Sequence, residues 1–169
     1  GLFSYTVTLT GGCGTVSVSG SLTSNDIPVL VITDPAPVCS PLTVDLTRPE
    51  VTAGSAAGLI FTYWTDAAAT AAYPTPAAAA AGVYYIKGTD GSGCFDIKPV
   101  NVVVNPAPAG TTAVTSVLCF GESTGAVDLS PSGGTAPYTF LWNNGAVTED
   151  ISGVIAGTYT VTITDANGC

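Results

Sequence analysis

The sequence predicts an all-β protein built from tandem β-sandwich modules, each closed by one disulfide inside the module. The first observation is a repeat: residues 82–94 and 157–169 keep Gly, Tyr, Asp and Cys at the same spacing, and residues 5–13 are a shorter echo. The second is a composition rich in Thr, Val and Ser with 20 Gly and 12 Pro, which is typical of strands joined by turns. The closing cysteines lie 81 and then 75 residues apart, so one repeat has the length of one small domain.

Residues 1–26 are predicted to be the last two strands of a module that begins upstream, because apolar and polar residues alternate on both sides of a Gly-rich turn. Residues 27–108 are predicted to form a complete module. Its expected strands cover 28–33, 42–46, 59–64, 82–88 and 99–104. The Pro-rich segment 105–110 is the expected linker.

Residues 109–169 are predicted to form a second module that lacks its last strand. Its expected strands cover 114–118, 126–129, 137–142 and 158–164, and Asn144-Gly145 is a turn signal. The Ala-rich segment 67–81 is interrupted by Pro74 and Pro76. We expect short strands or loop there, with a helical turn at 77–81 as the alternative.

The repeat register predicts which cysteines are bonded. Cys39 is expected to pair with Cys94 and Cys119 with Cys169, while Cys13 would close a module whose first cysteine lies upstream. Each bond would stabilise its module by ~4 kcal/mol in the chain-entropy model. Such bonds indicate an oxidising compartment, and the absence of a Cys-x-x-Cys motif argues against a zinc site.

Both modules share the order Cys, Trp, Gly-x-Tyr, Cys, so Trp64, Tyr84, Trp142 and Tyr159 are the expected core aromatic residues. A buried Trp near a disulfide resembles the immunoglobulin fold. In that fold the Tyr lies two residues before the second Cys, whereas here it lies ten before. We therefore expect immunoglobulin-like sandwiches whose disulfide ties strand ends at one pole.

Three blocks in the second module resemble the SprB-type repeat of giant surface adhesins in gliding Bacteroidota. They are 119–125 (Cys-Phe-Gly-Glu-Ser-Thr-Gly), 133–142 and 157–169, so the resemblance covers about 115–169. Residues 27–108 resemble, more loosely, the immunoglobulin-like modules found beside such repeats. The resemblance implies type IX secretion, display on the cell surface, and a role in adhesion or gliding motility. It brings no catalytic residues.

Composition excludes several classes of function. The net charge is −9, and Arg48, Lys87 and Lys98 are the only cationic side chains, so nucleic acid and anionic membranes are not expected partners. The chain contains no His, which removes the usual general base and the commonest metal ligand. No apolar run reaches the length of a membrane helix. We expect no enzyme, no cofactor, no metal site and no membrane insertion.

Four patterns have a chemical interpretation beside a structural one. The segments beginning at Asp90 and Asp165 are either calcium ligands or Asp-ordered turns, and the pair Glu149-Asp150 is either catalytic or a solvated turn; the turn is favoured in both cases. The aromatic residues Trp64, Trp142, Tyr63, Tyr73 and Tyr138 form either a sugar platform or a core, with Tyr73 and Tyr138 the freest. The Thr residues of 158–164 form either a hydroxyl array or the polar face of a strand.

These observations favour a non-enzymatic structural or adhesive segment of a long extracellular repeat protein or surface filament. Its expected partners are neighbouring modules of the same chain, other copies in a fibre, and surface glycans. The first alternative is a carbohydrate-binding accessory region of a secreted enzyme. The second is a filament subunit that completes its sheet with a strand from a neighbouring chain.

Overall fold

The computed structural model describes residues 2–11, 14–23 and 25–169 and is all-β. These residues contain short 3₁₀ turns at Pro49–Val51 and Pro76–Ala78 but no α-helix, and none of their helices is long and apolar enough to cross a membrane. Twelve strands are formed: β1 Leu2–Gly11, β2 Gly14–Thr23, β3 Val38–Cys39, β4 Ile60–Trp64, β5 Gly82–Thr89, β6 Phe95–Val102, β7 Val104–Asn105, β8 Pro108–Thr115, β9 Gly125–Gly133, β10 Thr139–Trp142, β11 Ile151–Val154 and β12 Val161–Thr164.

The chain divides into two compact units. The first contains residues up to Asp34 together with Thr47–Pro76 and Val83–Val100. The second contains Pro35–Leu46, Ala77–Gly82 and Asn101–Cys169. The units are therefore interleaved in sequence, whereas the predicted modules 1–26, 27–108 and 109–169 follow one another. Those module boundaries stay a prediction.

The first unit contains two antiparallel sheets. Strands β1 and β2 form a hairpin in which Leu2 lies opposite Thr23 and Gly11 opposite Gly14. Strands β4, β5 and β6 form a three-stranded sheet in that order. Its core contains Leu30, Val51, Ile86 and Val100, all almost completely buried.

The predicted strand at 28–33 joins no sheet. Its backbone bonds instead to the 3₁₀ turn and the loop after it: the Thr33 N–H donates to the Val51 carbonyl at 2.9 Å, and the Val29 carbonyl accepts from the Ala56 N–H at 2.8 Å. The Lys98 ammonium donates to the Leu30 carbonyl at 2.7 Å. Its hydrogen-bond partners are therefore turn residues and the side chains of Ser55 and Lys98, in place of a neighbouring strand.

The Ala-rich segment forms mostly loop and short bridges, as expected, but it also contains the 3₁₀ turn Pro76–Ala78, which overlaps the helical turn given as the alternative at 77–81. Asp66 organises its first part. The Asp66 carboxylate accepts hydrogen bonds from the backbone N–H groups of Ala68 at 2.9 Å and Ala71 at 2.7 Å, and from that of Thr70. Ala69 has a φ of 52°, a left-handed conformation that is rare for Ala. Because these backbone N–H groups bond to a carboxylate, they cannot donate the hydrogen bonds of a helix.

The second unit is a small sandwich. One sheet has the order β11-β9-β8 and the other pairs β10 with β12, all antiparallel. Its core cluster contains Val127, Leu129, Trp142 and Ile151, with Tyr159 among the half-buried residues packed against it. A parallel pair, β3 and β7, also belongs to this unit. Most of the expected linker 105–110 belongs to strands. Strand β7 ends at Asn105 and β8 begins at Pro108, so two residues lie between them.

Candidate functional site: a long-range disulfide and two aspartate turns

A disulfide joins Cys39 to Cys169, 130 residues apart, with their Cα atoms at 5.5 Å. The expected pairs Cys39–Cys94 and Cys119–Cys169 are therefore wrong. The bond ties the opening cysteine of the first predicted module to the closing cysteine of the second. Of the cysteines in the described residues, Cys94 is a half-buried thiol and Cys119 an exposed one. Cys13, whose partner was expected upstream, lies outside the described residues.

Strand topology explains why Cys39 meets Cys169. In the parallel pair β3–β7, Cys39 lies opposite Asn105, and Pro108 begins β8 three residues later. A Cβ on Gly134 would lie 3.2 Å from the Pro108 Cβ and 3.2 Å from the Asp165 Cβ, so the start of β8 lies beside the Asp165 turn. That turn carries Cys169. A parallel strand pair formed across 65 residues has no local sequence signal, so the repeat register could not reveal it.

Asp165 holds this closing turn together. Its Oδ1 accepts from the N–H groups of Asn167 and Cys169, both at 2.9 Å, and its Oδ2 from the Thr135 N–H at 2.8 Å. Its own N–H donates to the Cys169 carbonyl at 2.9 Å. Asp165 is 6% exposed. Burial acts to raise the pKa of Asp165, but the N–H donors of Cys169, Thr135 and Asn167 outweigh it, so the pKa lies below its ordinary value.

The turn that starts at Asp90 has the same architecture. Its Oδ1 accepts from the N–H groups of Ser92 and Cys94 at 2.9 Å, and its N–H donates to the Cys94 carbonyl at 2.9 Å. The hydrogen bond from the Ser92 hydroxyl is the main cause of a lowered Asp90 pKa. Gly93 and Gly168 occupy the same place in the two turns, with φ of 87° and 78°, a conformation suited to Gly. The repeat noticed in the sequence is thus a repeated structure.

These contacts favour the turn interpretation over calcium binding. Three backbone N–H groups converge on the Asp165 carboxylate, and two backbone N–H groups and a hydroxyl converge on that of Asp90. Calcium requires six to eight oxygen ligands. The described residues bring together no group of three or more acidic or Cys side chains.

Comparisons with known protein families and solved structures agree with an immunoglobulin-like sandwich. A model of the SprB repeat family matches residues 111–147. Residues 111–147 are therefore similar to a SprB repeat, and the segment 109–169 that contains them is referred to as the SprB-type repeat. The fold is also similar to the crystal structure of the N-terminal eight immunoglobulin domains of Down syndrome cell adhesion molecule, isoform 1.30.30, with a TM-score of 0.54 and 14% identity. The match covers 96% of this chain and 30% of that one, and shows the immunoglobulin-like fold alone. No curated protein matches the chain.

Trp142 lies in the core of the second unit, whereas Trp64 of the first unit is not fully buried. Trp142 is 3% exposed, and its indole N–H donates to the Thr148 carbonyl at 2.9 Å. Trp64 is only half-buried. The registers explain this: Thr139 lies opposite Thr164, just before Asp165, and Ile60 lies opposite Thr89, just before Asp90. Counting along both strands, the position of Trp142 corresponds to Tyr63.

Tyr84 is the third residue of β5, and Tyr159, at the corresponding position of the repeat, lies two residues before β12; both are half-buried. The Tyr159 hydroxyl donates to the Ile155 carbonyl at 3.0 Å. A Tyr that bonds to backbone a few residues upstream is the tyrosine corner of immunoglobulin-like sandwiches. The Tyr84 ring lies 4.4 Å from the Tyr73 ring, so Tyr73 packs within its unit and is not available as an isolated sugar platform.

The other singled-out residues have structural roles in the SprB-type repeat. Asp150 of the acidic pair accepts from the Leu129 N–H at 2.8 Å, fastening the β10–β11 loop to β9. The Tyr138 hydroxyl donates to the Gly133 carbonyl. Of the Thr row, Thr158 and Thr162 are exposed and Thr164 is half-buried. Sequence analysis missed a further repeat that was visible: Val44-Asp-Leu46 and Val127-Asp-Leu129 both bury their Val and Leu side chains.

Proposed function

We propose that this segment is a non-enzymatic load-bearing part of an extracellular adhesin or surface filament. A SprB-type repeat together with an immunoglobulin-like fold supports a structural, adhesion-type extracellular segment. Such families are generally non-catalytic. The disulfide suits an oxidising compartment outside the cytoplasm. Transport by the type IX route and a part in gliding extend this proposal, on the strength of the SprB match alone.

The observation that carries the proposal is the covalent loop from Cys39 to Cys169. A loop of 130 residues withholds about 450 Å of extended chain from any applied force, at ~3.5 Å per residue. Bonds inside each module would protect each module separately. This bond instead joins the closing turn of the SprB-type repeat to β3, 130 residues earlier in the chain. Force on either end of the loop therefore cannot extend the chain between the two cysteines.

The proposal is tested by shear. Cells that display the whole protein with Cys39→Ala and Cys169→Ala should attach to a surface under static conditions as the wild type does, but detach at a lower flow rate. Cells with Cys119→Ala are the matched control, because that thiol is exposed and unbonded in this structure. Equal resistance to flow in the three strains would overturn the load-bearing role.

No contact among the residues that the structure describes favours the carbohydrate-binding alternative. Its freest predicted aromatic residues, Tyr73 and Tyr138, are half-buried, the first against Tyr84 and the second bonded to the Gly133 carbonyl. The second alternative, in which a neighbouring chain adds a strand to the sheet, stays a proposal. Among the described residues, β12 pairs with β10 and with no other strand, whereas the corresponding β5 pairs with both β4 and β6, so one edge of β12 offers a place for a further strand.

A further inference from the structure

The cysteines of the described residues lie in two kinds of turn, and Cys39 and Cys119 share the first kind. The carbonyl of each accepts from the backbone N–H three residues later, at 2.9 Å for Cys39 and 3.2 Å for Cys119. The segments 44–46 and 127–129 follow them, and both have the sequence Val-Asp-Leu with buried Val and Leu side chains. Cys39 and Cys119 are therefore the opening cysteines of the predicted modules 27–108 and 109–169.

Cys94 and Cys169 share the second kind of turn and are the closing cysteines of the same two modules. Each donates its N–H at 2.9 Å to the Oδ1 of the aspartate four residues earlier. The carbonyl of each accepts from the N–H of that aspartate, again at 2.9 Å. Both cysteines are half-buried. Because the two closing turns have the same geometry, a bond that one of them makes is a guide to the bond of the other.

The disulfide of the structure joins the opening cysteine of one module to the closing cysteine of the next. Cys94 closes the module that Cys39 opens, and it is the nearer of the two closing cysteines in the sequence. Cys39 nevertheless bonds to Cys169, 130 residues away, and Cys94 keeps its thiol. The pairing therefore follows the fold and steps over one closing cysteine.

Backbone hydrogen bonds explain why the partner belongs to the next module. The N–H groups on either side of Cys39 donate to the carbonyls of Val103 at 3.2 Å and Asn105 at 2.8 Å. The opening cysteine is thereby fixed beside the last strand of its own module, where the chain continues into β8. Because the start of β8 lies beside the Asp165 turn, the closing cysteine at bonding distance is that of the following module.

The residues around Cys119 present an exposed apolar surface. Leu118 is 84% exposed, Phe120 is fully exposed, and Cys119 between them is exposed as well. Among the described residues no strand pairs with 118–119, whereas the counterpart Val38–Cys39 pairs with β7. Exposed apolar residues that lie together mark a contact surface. The contact that the repeat indicates for this surface is the one that Cys39 makes, with a following strand and the closing turn beyond it.

We propose that each opening cysteine of this protein bonds to the closing cysteine of the next module. Cys119 then bonds to the closing cysteine of a following module, and Cys94 to the opening cysteine of a preceding one. The inference rests on the proposed function in one respect, namely that the segment belongs to a longer repeat protein. The bond from Cys39 to Cys169 sets the spacing, so each partner is expected about 130 residues away. Successive covalent loops overlap, because 119–169 lies inside two of them.

The bond forms by two thiol–disulfide exchanges, and the oxidant is a protein or small molecule that itself carries a disulfide. The Cys119 thiolate attacks one sulfur of the oxidant and releases the other as a thiolate, which gives a mixed disulfide. The thiolate of the closing cysteine then attacks the Cys119 sulfur and releases the second sulfur of the oxidant. Two protein thiols lose two electrons and two protons, and the oxidant takes them up as two thiols.

The first test is mass mapping of the whole protein, collected unreduced from the cell surface after free thiols have been alkylated. The peptide with Cys119 should be linked to one that contains Asp-x-x-Gly-Cys and lies outside residues 1–169. The peptide with Cys94 should be linked to a cysteine that precedes Gly1 in the whole protein. An alkylated Cys94 or Cys119, a bond between these two, or a bond of either to Cys13 would each overturn the proposal.

The second test uses a longer chain to decide between a bond to the next module and a bond within a module. Residues 95–169 are added once more after Cys169, so that they follow it as they follow Cys94, and Cys13→Ser removes the remaining cysteine. Under the proposal the first Cys119 bonds to the added Cys169. Cys119→Ser in the first copy should therefore give one more free thiol than the parent, and the same change in the added copy one fewer. The reverse result, or no difference between the two variants, would overturn the proposal.

Mapping and shear together separate this pairing from the load-bearing role. Cys119→Ala is a neutral control in the shear test where mapping finds a free thiol at Cys119. Where mapping finds Cys119 bonded to a following module, cells with Cys119→Ala should also detach at a lower flow rate than the wild type. Both bonds mapped with equal resistance in all strains would overturn the load-bearing role alone. A free Cys119 with early detachment of the Cys39→Ala, Cys169→Ala strain would overturn the pairing alone.

Discussion

Removal of the disulfide between Cys39 and Cys169 should destabilise the second unit strongly. The bond closes a loop of 130 residues, and the chain-entropy model gives about 5 kcal/mol of stability for a loop of that length. A domain is typically stable by ~5–15 kcal/mol, so the double variant Cys39→Ala, Cys169→Ala should lose between about a third and nearly all of that stability at 25 °C. In this model the loss of stability arises in the unfolded state, because the chain without the bond has a higher conformational entropy.

Urea denaturation followed by Trp fluorescence measures this loss, since Trp142 is buried in the same unit. The matched controls are Cys94→Ala and Cys119→Ala, which should each change the free energy of unfolding by less than about 1 kcal/mol because neither thiol is bonded. Under the pairing expected from the repeat register, each control would instead cost ~4 kcal/mol. A large loss in both controls would refute the topology described here.

Three further predictions concern the core and the closing turn. Trp142→Ala should cost about 3–5 kcal/mol of unfolding free energy, and Trp64→Ala clearly less, because only the first tryptophan is buried. Gly134→Ala should cost more than Gly145→Ala: both have positive φ, worth ~1–2 kcal/mol, but a Cβ at Gly134 would also lie 2.9 Å from an oxygen of Asp165. Asp165→Asn should destabilise the unit at pH 7 and reduce its sensitivity to acid.

The sign of the acid effect follows from the lowered pKa of Asp165. Its contribution to stability is complete above the ordinary carboxyl pKa of 3.8 and is lost as the pH falls through the lower pKa of the folded state. Thermal unfolding between pH 7 and pH 2 measures it, with the exposed Glu149→Gln as control. Equal acid sensitivity of wild type and Asp165→Asn would contradict the role given to this carboxylate. Equal losses of unfolding free energy in Trp142→Ala and Trp64→Ala would contradict the core position of Trp142, and equal losses in Gly134→Ala and Gly145→Ala would contradict the close approach of Gly134 to Asp165.

The fold class was predictable because strand alternation and turn residues are local signals. The block that ends in Asp-x-x-Gly-Cys was also predictable as structure, because the turn itself needs these residue types: the Asp165 carboxylate accepts backbone N–H groups, and Gly168, which has no Cβ, takes a positive φ. The SprB resemblance, read from blocks of sequence, is confirmed by the match to residues 111–147.

The cysteine pairing was not predictable, because it depends on a parallel contact between Val38–Cys39 and Val104–Asn105 that leaves no periodic pattern. Spacing from the opening cysteine also indicated the wrong counterpart of the buried Trp142. Trp64 and Trp142 lie 25 and 23 residues after their cysteines, which made them look equivalent. Strand register counted back from the Asp turns gives Tyr63 as the counterpart of Trp142.

Mass mapping of the cysteine links in the native, unreduced protein tests the central claim most directly. A peptide pair containing Cys39 and Cys169 is the result expected from the structure, because the start of β8 and the Asp165 turn bring these two sulfurs together. Recovery of Cys39 bonded to Cys94, with Cys119 bonded to Cys169, would contradict it and restore one separate loop to each module.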